Sequence, residues 1–416
     1  MLHGTCCETL AARPPLANPW RSLELGLAPL TVAASLRPQG GLVFLDTGSG
    51  EANARSFVTA APVKILRGHI DTDWPVISQT VNERRGTPGG LFGWVGYDGH
   101  FVFGVYPHVM VFHHDQQEWQ ECGRLSASLT SEPVTLPASP VLDFQPQTTR
   151  AAYIRAVERA QEYIAAGDIY QVNLAHLWRA EWSPGADALA LYARLREISP
   201  APYSAFLELA ETCVISSSLE SFLHMQGRTI TTRPIKGTRP RFPEDGAKDR
   251  QSARDLVSSA KERAELLMIT DLLRNDLGTV CEFGSINVAD LARVANFAQV
   301  FHLVSTVAGT LRSDKDHATA FRACFPGGSI TGAPKKRARE IISELEPHPR
   351  GIYTGALGYF GFDGESQFNI VIRTAVQHGK SITLHAGAGI VADSVPALEY
   401  EETLHKASGL LGAARP

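Results

Sequence analysis

From Arg150 to Asp168 the apolar positions recur at helical spacing: Tyr153, Val157, Ala160 and Ile164 fall on one face, and Gly167 marks a stop. Ile169–Trp182 then alternates as a strand does, and Ala186–Ile198 returns to the helical period. Tyr203–Ser218 and Arg228–Thr238 predict strands around a short turn. Long helices are expected from Ala253 to Asn275 and after Gly332, with strands in Gly351–Phe362, Asn369–Gln377 and Ser381–Val391 and a last helix from near Pro396. Upstream, Gly40–Gly48, Arg55–Leu66 and Tyr106–His114 read as strands, and Gly86–His100 as a glycine-rich connection. Ser128–Thr149, rich in Pro, Ser and Thr, reads as a linker, placing a division near residue 145. Helices and strands mix without strict βαβ alternation. The pattern therefore predicts an α+β fold with large antiparallel sheets rather than a doubly wound parallel one.

Composition narrows the class. The 416 residues are 44% hydrophobic and 20% charged, with a net charge of −4. That balance argues against a nucleic-acid binder. The one dense basic run, Pro334–Arg339, reads as a solvated face at a helix start. Six cysteines, Cys6, Cys7, Cys122, Cys213, Cys281 and Cys324, form no CxxC pair, and no apolar run reaches membrane-span length. A cytoplasmic, reduced protein is expected. The glycine-rich connection ends in no Lys-Ser/Thr and holds no G-x-G-x-x-G before a helix, so neither nucleotide-loop pattern is present. His113 and His114 have no partners at metal-ligand spacing.

Several residues could carry chemistry. Glu262 and Glu265 stand three apart on one predicted helix, and Glu399 and Glu402 on another. Two such pairs could give hard Mg²⁺ an oxygen-rich site, although paired glutamates at this spacing also occur as solvated helix faces. Gly387, Ala388 and Gly389 end a strand, where backbone amides could meet a carboxylate. Arg373 lies in the apolar run "NIVIRTAV" and needs a partner, either a ligand carboxylate or a structural salt bridge. Tyr353 and His302 sit in strand-like segments and read equally as core residues. Lys236, in "TTRPIKGTRPR", is either a charge on a turn or a positioned amine. Glu220 precedes it by one hairpin.

In order along the chain these features make a set. From about Arg150 to Ser408 the sequence resembles the chorismate-utilising enzymes, which include component I of anthranilate synthase and of aminodeoxychorismate (para-aminobenzoate) synthase, and the isochorismate and salicylate synthases. The resemblance is carried by "PIKGTRPR", "ERAELLMITDLLRNDLG", "VFHLVSTVAGTL", "FPGGSITGAPKKRA", "RGIYTGALGYFG", "NIVIRTA" and "HAGAGIVADSVPALEYEETLHKA". The N-terminal third resembles component I more loosely.

The resemblance implies antiparallel sheets packed as a sandwich with helices outside. Residues 146–416 would be the chorismate-binding domain, interwoven with an N-terminal region at 1–145. It implies Mg²⁺ held by Glu265 and Glu402 with Glu262 and Glu399 in support. Arg373, Tyr353 and the Gly387–Ala388–Gly389 backbone would hold the enolpyruvyl carboxylate, His302 would lie near the departing hydroxyl, and Gly237, Thr238 and Thr331 would line the pocket.

Among the branches, anthranilate synthases resemble Pro-Ile-Ala-Gly-Thr where this chain has Lys236, and aminodeoxychorismate synthases carry the lysine. The resemblance thus implies Lys236 as a covalent nucleophile, with Glu220 moving protons. Gln171 stands where the water-using branches carry a lysine. No cysteine sits in a nucleophile-elbow pattern, so ammonia is expected from a separate glutamine amidotransferase subunit. Leu219 replaces the proline many relatives place before the glutamate, and no clear Leu-Leu-Glu-Ser segment is present. Anthranilate synthase activity and a non-catalytic chorismate-binding subunit are the alternatives.

Overall fold

A computed structural model describes residues 20–47, 54–130, 134–296 and 300–415. Cys6 and Cys7 lie outside them. Two antiparallel sheets organise the described chain. The first, of 12 strands, runs in the order Trp20–Leu23, Glu118–Cys122, Val109–His113, Arg55–Thr59, Val43–Asp46, Tyr203–Leu209, Thr212–Ser218, Thr374–His378, Ser381–Ile390, Gln171–Glu181 and Gly332–Ala333, with Gln145–Pro146 also paired to Gln171–Glu181. The second, of 10 strands, runs Ile235–Pro240, Val300–Thr310, Thr229–Arg233, Ser221–Gln226, Glu365–Ile370, Ala356–Gly361, Gly90–Val95, His100–Tyr106 and Lys64–His69, with Asn287–Asn296 along the other edge of Val300–Thr310. Strands from before residue 145 enter both sheets.

The inner faces pack on one another. Val43, Phe57, Val111, Leu207 and Val214 of the first sheet meet Phe92, Tyr106, Leu357 and Tyr359 of the second. Helices close the outer faces. Leu191 and Leu195 of Ala188–Ile198 and Leu410 of Pro396–Ala413 cover Trp178, Ile215 and Leu384. On the second sheet Trp74 stacks on Phe321, with centroids 5.3 Å apart, over Phe103, Phe360 and Phe368. This is the expected α+β sandwich with helices outside.

Four predicted elements differ. Arg55–Leu66 is two strands in different sheets, separated where Ala61 takes φ 55° before Pro62. The glycine-rich connection contains an inner strand, Gly90–Val95, in which a Cβ on Gly93 would stand 2.0 Å from Val102 O. Ala253–Asn275 is two helices, Gly246–Ser258 and Ala260–Gly278, because Ser259 caps the second by accepting from Glu262 N. Asn369–Gln377 also divides, with consequences for Arg373 given below. The basic run Pro334–Arg339 is not simply a solvated face: Lys335 Nζ is 2.7 Å from Asp276, at the end of the helix Ala260–Gly278.

Candidate active site

The chain crosses between the sheets twice at one place. Thr212–Ser218 in the first sheet passes to Ser221–Gln226 in the second through Glu220, and Glu365–Ile370 in the second passes to Thr374–His378 in the first through Arg373. The crossings are tied side by side. Ser218 Oγ donates to Ile370 O at 2.6 Å, Ile370 N to Glu220 O at 3.0 Å, and Ser217 N to Arg373 O at 3.1 Å. Arg373 is therefore not in a strand, as the sequence had implied. It takes φ 50°, a conformation that non-glycine residues adopt only when their surroundings impose it. Among the described residues no carboxylate pairs with its guanidinium, and burial lowers its pKa. A half-buried cation without a counter-ion is costly, so this arrangement favours an anionic ligand over the structural salt bridge.

Lys236 lies on the strand Ile235–Pro240, opposite Leu303, and Thr238 lies opposite His302. Between them Gly237 takes φ 68° and breaks the register. His302 Nδ1 donates to Gly237 O at 2.8 Å, with Thr238 Oγ1 at 3.2 Å. Burial, assisted by Arg373, pushes His302 down to about 4 against the Gly237 hydrogen bond. The imidazole is thus neutral at pH 7 with its proton on Nδ1, which leaves Nε2 an acceptor. Lys236 Nζ lies 3.9 Å from the point a Cβ on Gly389 would occupy, and Gln171 Nε2 lies 2.6 Å from it. The amine, the amide and the glycine backbone therefore border one space. Among the described residues the amine has no hydrogen-bond or ion-pair partner.

The glycines owe their availability to the ladder. Gly389 lies opposite Asn173 and Gly387 opposite Ala175. Asn173 N donates to Thr331 O, Asn173 O accepts from Arg350 Nη2, and Ala175 N donates to Glu346 Oε1. These are therefore non-hydrogen-bonded pairs, and the Gly387 and Gly389 amides point to the other edge of their strand. There the neighbouring strand has already left, since its last pair is Ala375–Leu384. On that open edge Gly387 O accepts from Lys406 Nζ at 3.0 Å.

Acids gather beside the amine. Burial raises the pKa of Glu265; Lys236 opposes this, and the charges of Glu262 and Glu402 raise it further. Burial also acts to raise half-exposed Glu402, but Lys406, 2.7 Å away, outweighs it and the net shift is downward. Glu399 is raised by burial and by Glu402, against a hydrogen bond from Ser394 Oγ at 2.7 Å. Glu262 Oε1 lies 3.6 Å from Arg239 and Glu265 Oε1 lies 3.9 Å from Lys261. Among the described residues no three such side chains converge on a metal position as they stand. The donors are all oxygens, carried on two helices whose charges reach one another, and the like-charge pressure on Glu265 is what a hard cation would relieve.

Glu220 is enclosed, with 7% of its surface exposed. Burial raises its pKa, against the Ser329 hydroxyl and the charges of Lys236 and Lys406. Thr331 is wholly buried and spends its hydroxyl proton on Gly327 O and Gly328 O. Tyr353 is in the turn before the strand Ala356–Gly361, not in the strand, and stacks on His385 at 5.2 Å, two residues before Gly387. Ser329 and Lys406 escaped the sequence reading. Lys406 was accessible to it as the i+4 partner of Glu402, whereas nothing local marks Ser329.

Two antiparallel sheets closed by helices, with an amine, acids and freed backbone amides gathered near the place where the chain changes sheets, define an α+β fold. The chain belongs to the family of chorismate binding enzymes, which it matches over residues 103–412. It is 37% identical over 398 residues to aminodeoxychorismate synthase component 1 of Escherichia coli, covering 88% of this chain and 85% of that protein. It is 46% identical over 271 residues to an anthranilate synthase component 1 of Haloarcula marismortui, covering 65% of this chain. The chain spans 55% of the length of that relative. The crystal structure of anthranilate synthase component I from Streptococcus pneumoniae superposes with a TM-score of 0.76 at 28% identity, covering 87% of this chain and 93% of that one.

Proposed function

We propose that the chain aminates chorismate to 4-amino-4-deoxychorismate, toward para-aminobenzoate and folate, using ammonia from a separate glutamine amidotransferase subunit. The observation that carries this reading is Lys236: an amine without a bonded partner beside Gly389, within the electrostatic reach of Glu220. A small side chain there would leave the carbon next to the ring carboxylate open to ammonia and give the ortho product. A lysine there can attack that carbon itself.

The neutral amine forms an Nζ–C bond at that carbon, the ring double bonds shift, and the C–O bond across the ring breaks. The departing hydroxide takes a proton from Glu220 and leaves as water. Glu220 suits this step because burial favours its protonated form. The attacking nitrogen then returns a proton to Glu220. Ammonia bonds to the carbon that lost the hydroxyl, the double bonds shift back, and the Nζ–C bond breaks as Glu220 gives its proton to Nζ; the new ammonium then returns a proton to Glu220. One ammonia is consumed, one water is released and Lys236 is regenerated. His302, neutral with its only proton given to Gly237 O, orients the leaving hydroxyl and does not protonate it. Arg373, Tyr353 and the Gly387 and Gly389 amides hold the enolpyruvyl carboxylate. Glu265 and Glu402, backed by Glu262 and Glu399, would hold Mg²⁺, which when bound would neutralise the ring carboxylate of chorismate.

Incubation with chorismate, Mg²⁺ and ammonium tests the reading, with 4-amino-4-deoxychorismate expected. Fluorescent anthranilate as the main product would instead favour the second reading, anthranilate synthase, which the 46% identity to such a relative supports. Mg²⁺-dependent chorismate binding without turnover would indicate a non-catalytic subunit.

A further inference from the structure

We propose that a second cavity, behind Tyr353, is a regulatory site for a small aromatic carboxylate. The cavity has a volume of about 300 Å³, at the lower end of the range for small-ligand sites. It lies on the same face of the first sheet as the two glycines: Arg179 pairs with Thr383, Leu177 with His385 and Ala175 with Gly387, so the face continues from cavity to catalytic floor. The turn holding Tyr353 forms its other wall.

Its lining has one sign of charge. Arg179, Arg350, His348, His378 and His385 border it, and no carboxylate does. Arg350 is already neutralised, donating to both Glu346 oxygens at 2.8 and 2.6 Å. Burial pushes His385 down to about 3, so it is neutral. Arg179 remains: it is exposed at the rim, and among the described residues its side chain has neither an ion-pair nor a hydrogen-bond partner. A guanidinium of this kind selects a carboxylate by a bidentate pair. Leu177, Ile352 and Val376 give the apolar wall that a ring would cover. The occupant is thus a ring carrying a carboxylate, held at the rim by Arg179 with its ring toward Tyr353. Because Tyr353 borders both spaces, occupancy alters chorismate binding. Only this kinetic consequence rests on the function proposed above.

Calorimetric titration of the full chain with benzoate, in parallel on Arg179→Ala and Arg373→Ala variants, tests the site. Binding is expected to weaken about tenfold or more in Arg179→Ala and to persist in Arg373→Ala. Benzoate should also raise the KM for chorismate in the parent and not in Arg179→Ala, whose activity without benzoate is unchanged. Absence of binding up to on the order of 10 mM, or loss in Arg373→Ala with retention in Arg179→Ala, would overturn the proposal. The latter result would place benzoate in the catalytic pocket. Neither outcome bears on which product the chain makes, because the product assay is run without benzoate.

Discussion

Gly387 and Gly389 sit two residues apart on one strand face, yet a methyl group added to each should fail differently. A Cβ on Gly387 would stand 2.6 Å from Leu174 O, 2.8 Å from Asn173 Oδ1 and 2.9 Å from Ala175 Cβ. The first of these is backbone in a paired strand and cannot retreat alone, so Gly387→Ala should cost about 1–3 kcal/mol of stability. A Cβ on Gly389 would meet Gln171 Nε2 at 2.6 Å and Lys236 Nζ at 3.9 Å. The near atom is the end of a flexible side chain, which must move by roughly 1 Å to restore ordinary separation. Gly389→Ala should therefore keep stability within about 1 kcal/mol of the parent. Its activity should not survive as well. The methyl fills the space beside the amine and bars a carboxylate from the Gly389 amide. A hydrogen bond to a charged group contributes about 1.5–3 kcal/mol, so kcat/KM for chorismate should fall by about 10- to 150-fold. Urea denaturation and steady-state assays with ammonium separate the two effects. Parental kcat/KM in Gly389→Ala would refute the placement of the anion site, and parental stability in Gly387→Ala would refute the packing argument.

Lys236→Ala should lose most para-directed amination and yield some anthranilate, checked by product chromatography; unchanged product and rate would exclude the covalent role. Glu402→Gln should weaken Mg²⁺ binding about tenfold or more by calorimetry, and unchanged affinity would remove Glu402 from the metal set. Arg373→Met should raise the urea midpoint slightly, by up to about 1 kcal/mol, by removing a half-buried unpaired charge, while chorismate binding falls by about tenfold or more; lowered stability would mean that the guanidinium has a structural partner. Glu365 joins Arg55 of the first sheet to His224 of the second. Burial acts to raise its pKa, but bonds from His224 and Arg55 outweigh this and hold it down at about 2, below its ordinary 4.5. Because the folded value is depressed, this stabilisation is present above pH 4.5 and is lost as pH falls through about 2. The gap in unfolding free energy between parent and Glu365→Gln should be about 3 kcal/mol at neutral pH and close over that window; a gap independent of pH would sink the assignment.

The periodic part of the chain was legible where the spacing of apolar residues is regular. Val157 and Ala160 are wholly enclosed on their helix, as the spacing required, and Gln171–Glu181 is a strand within the run that alternates. Two of the failures share one cause. Arg55–Leu66 and Asn369–Gln377 each carry a strand-like composition through a change of sheet, and periodicity cannot register which sheet a strand joins. The break inside Ala253–Asn275 was visible in principle as Ser259-x-x-Glu262, but the apolar period on either side masked it. Of the site, the residue types and their order could be read. That Gly387 and Gly389 have unused amides could not be read, because it follows from where Asn173 and Ala175 send their own polar groups, to Thr331, Arg350 and Glu346.

That same dependence explains why the chemistry gathers where it does. A residue inside a sheet has its backbone groups taken by two neighbours and its side chain committed to one packed face. At a crossing both commitments lapse. Glu220 leaves one sheet two residues after Ser218 and is enclosed there. Arg373 leaves the other sheet just before Thr374–His378, the strand whose pairing with Ser381–Ile390 stops at Ala375–Leu384, and its charge reaches His302. The cross-links from Ser217, Ser218 and Ile370 hold the two crossings in register. An acid and a cation, each costly to enclose without a partner, thus sit on crossings that backbone bonds hold together, and among the described residues no ion pair joins them; under the function proposed above, this leaves Arg373 to a substrate carboxylate and Glu220 to proton transfer.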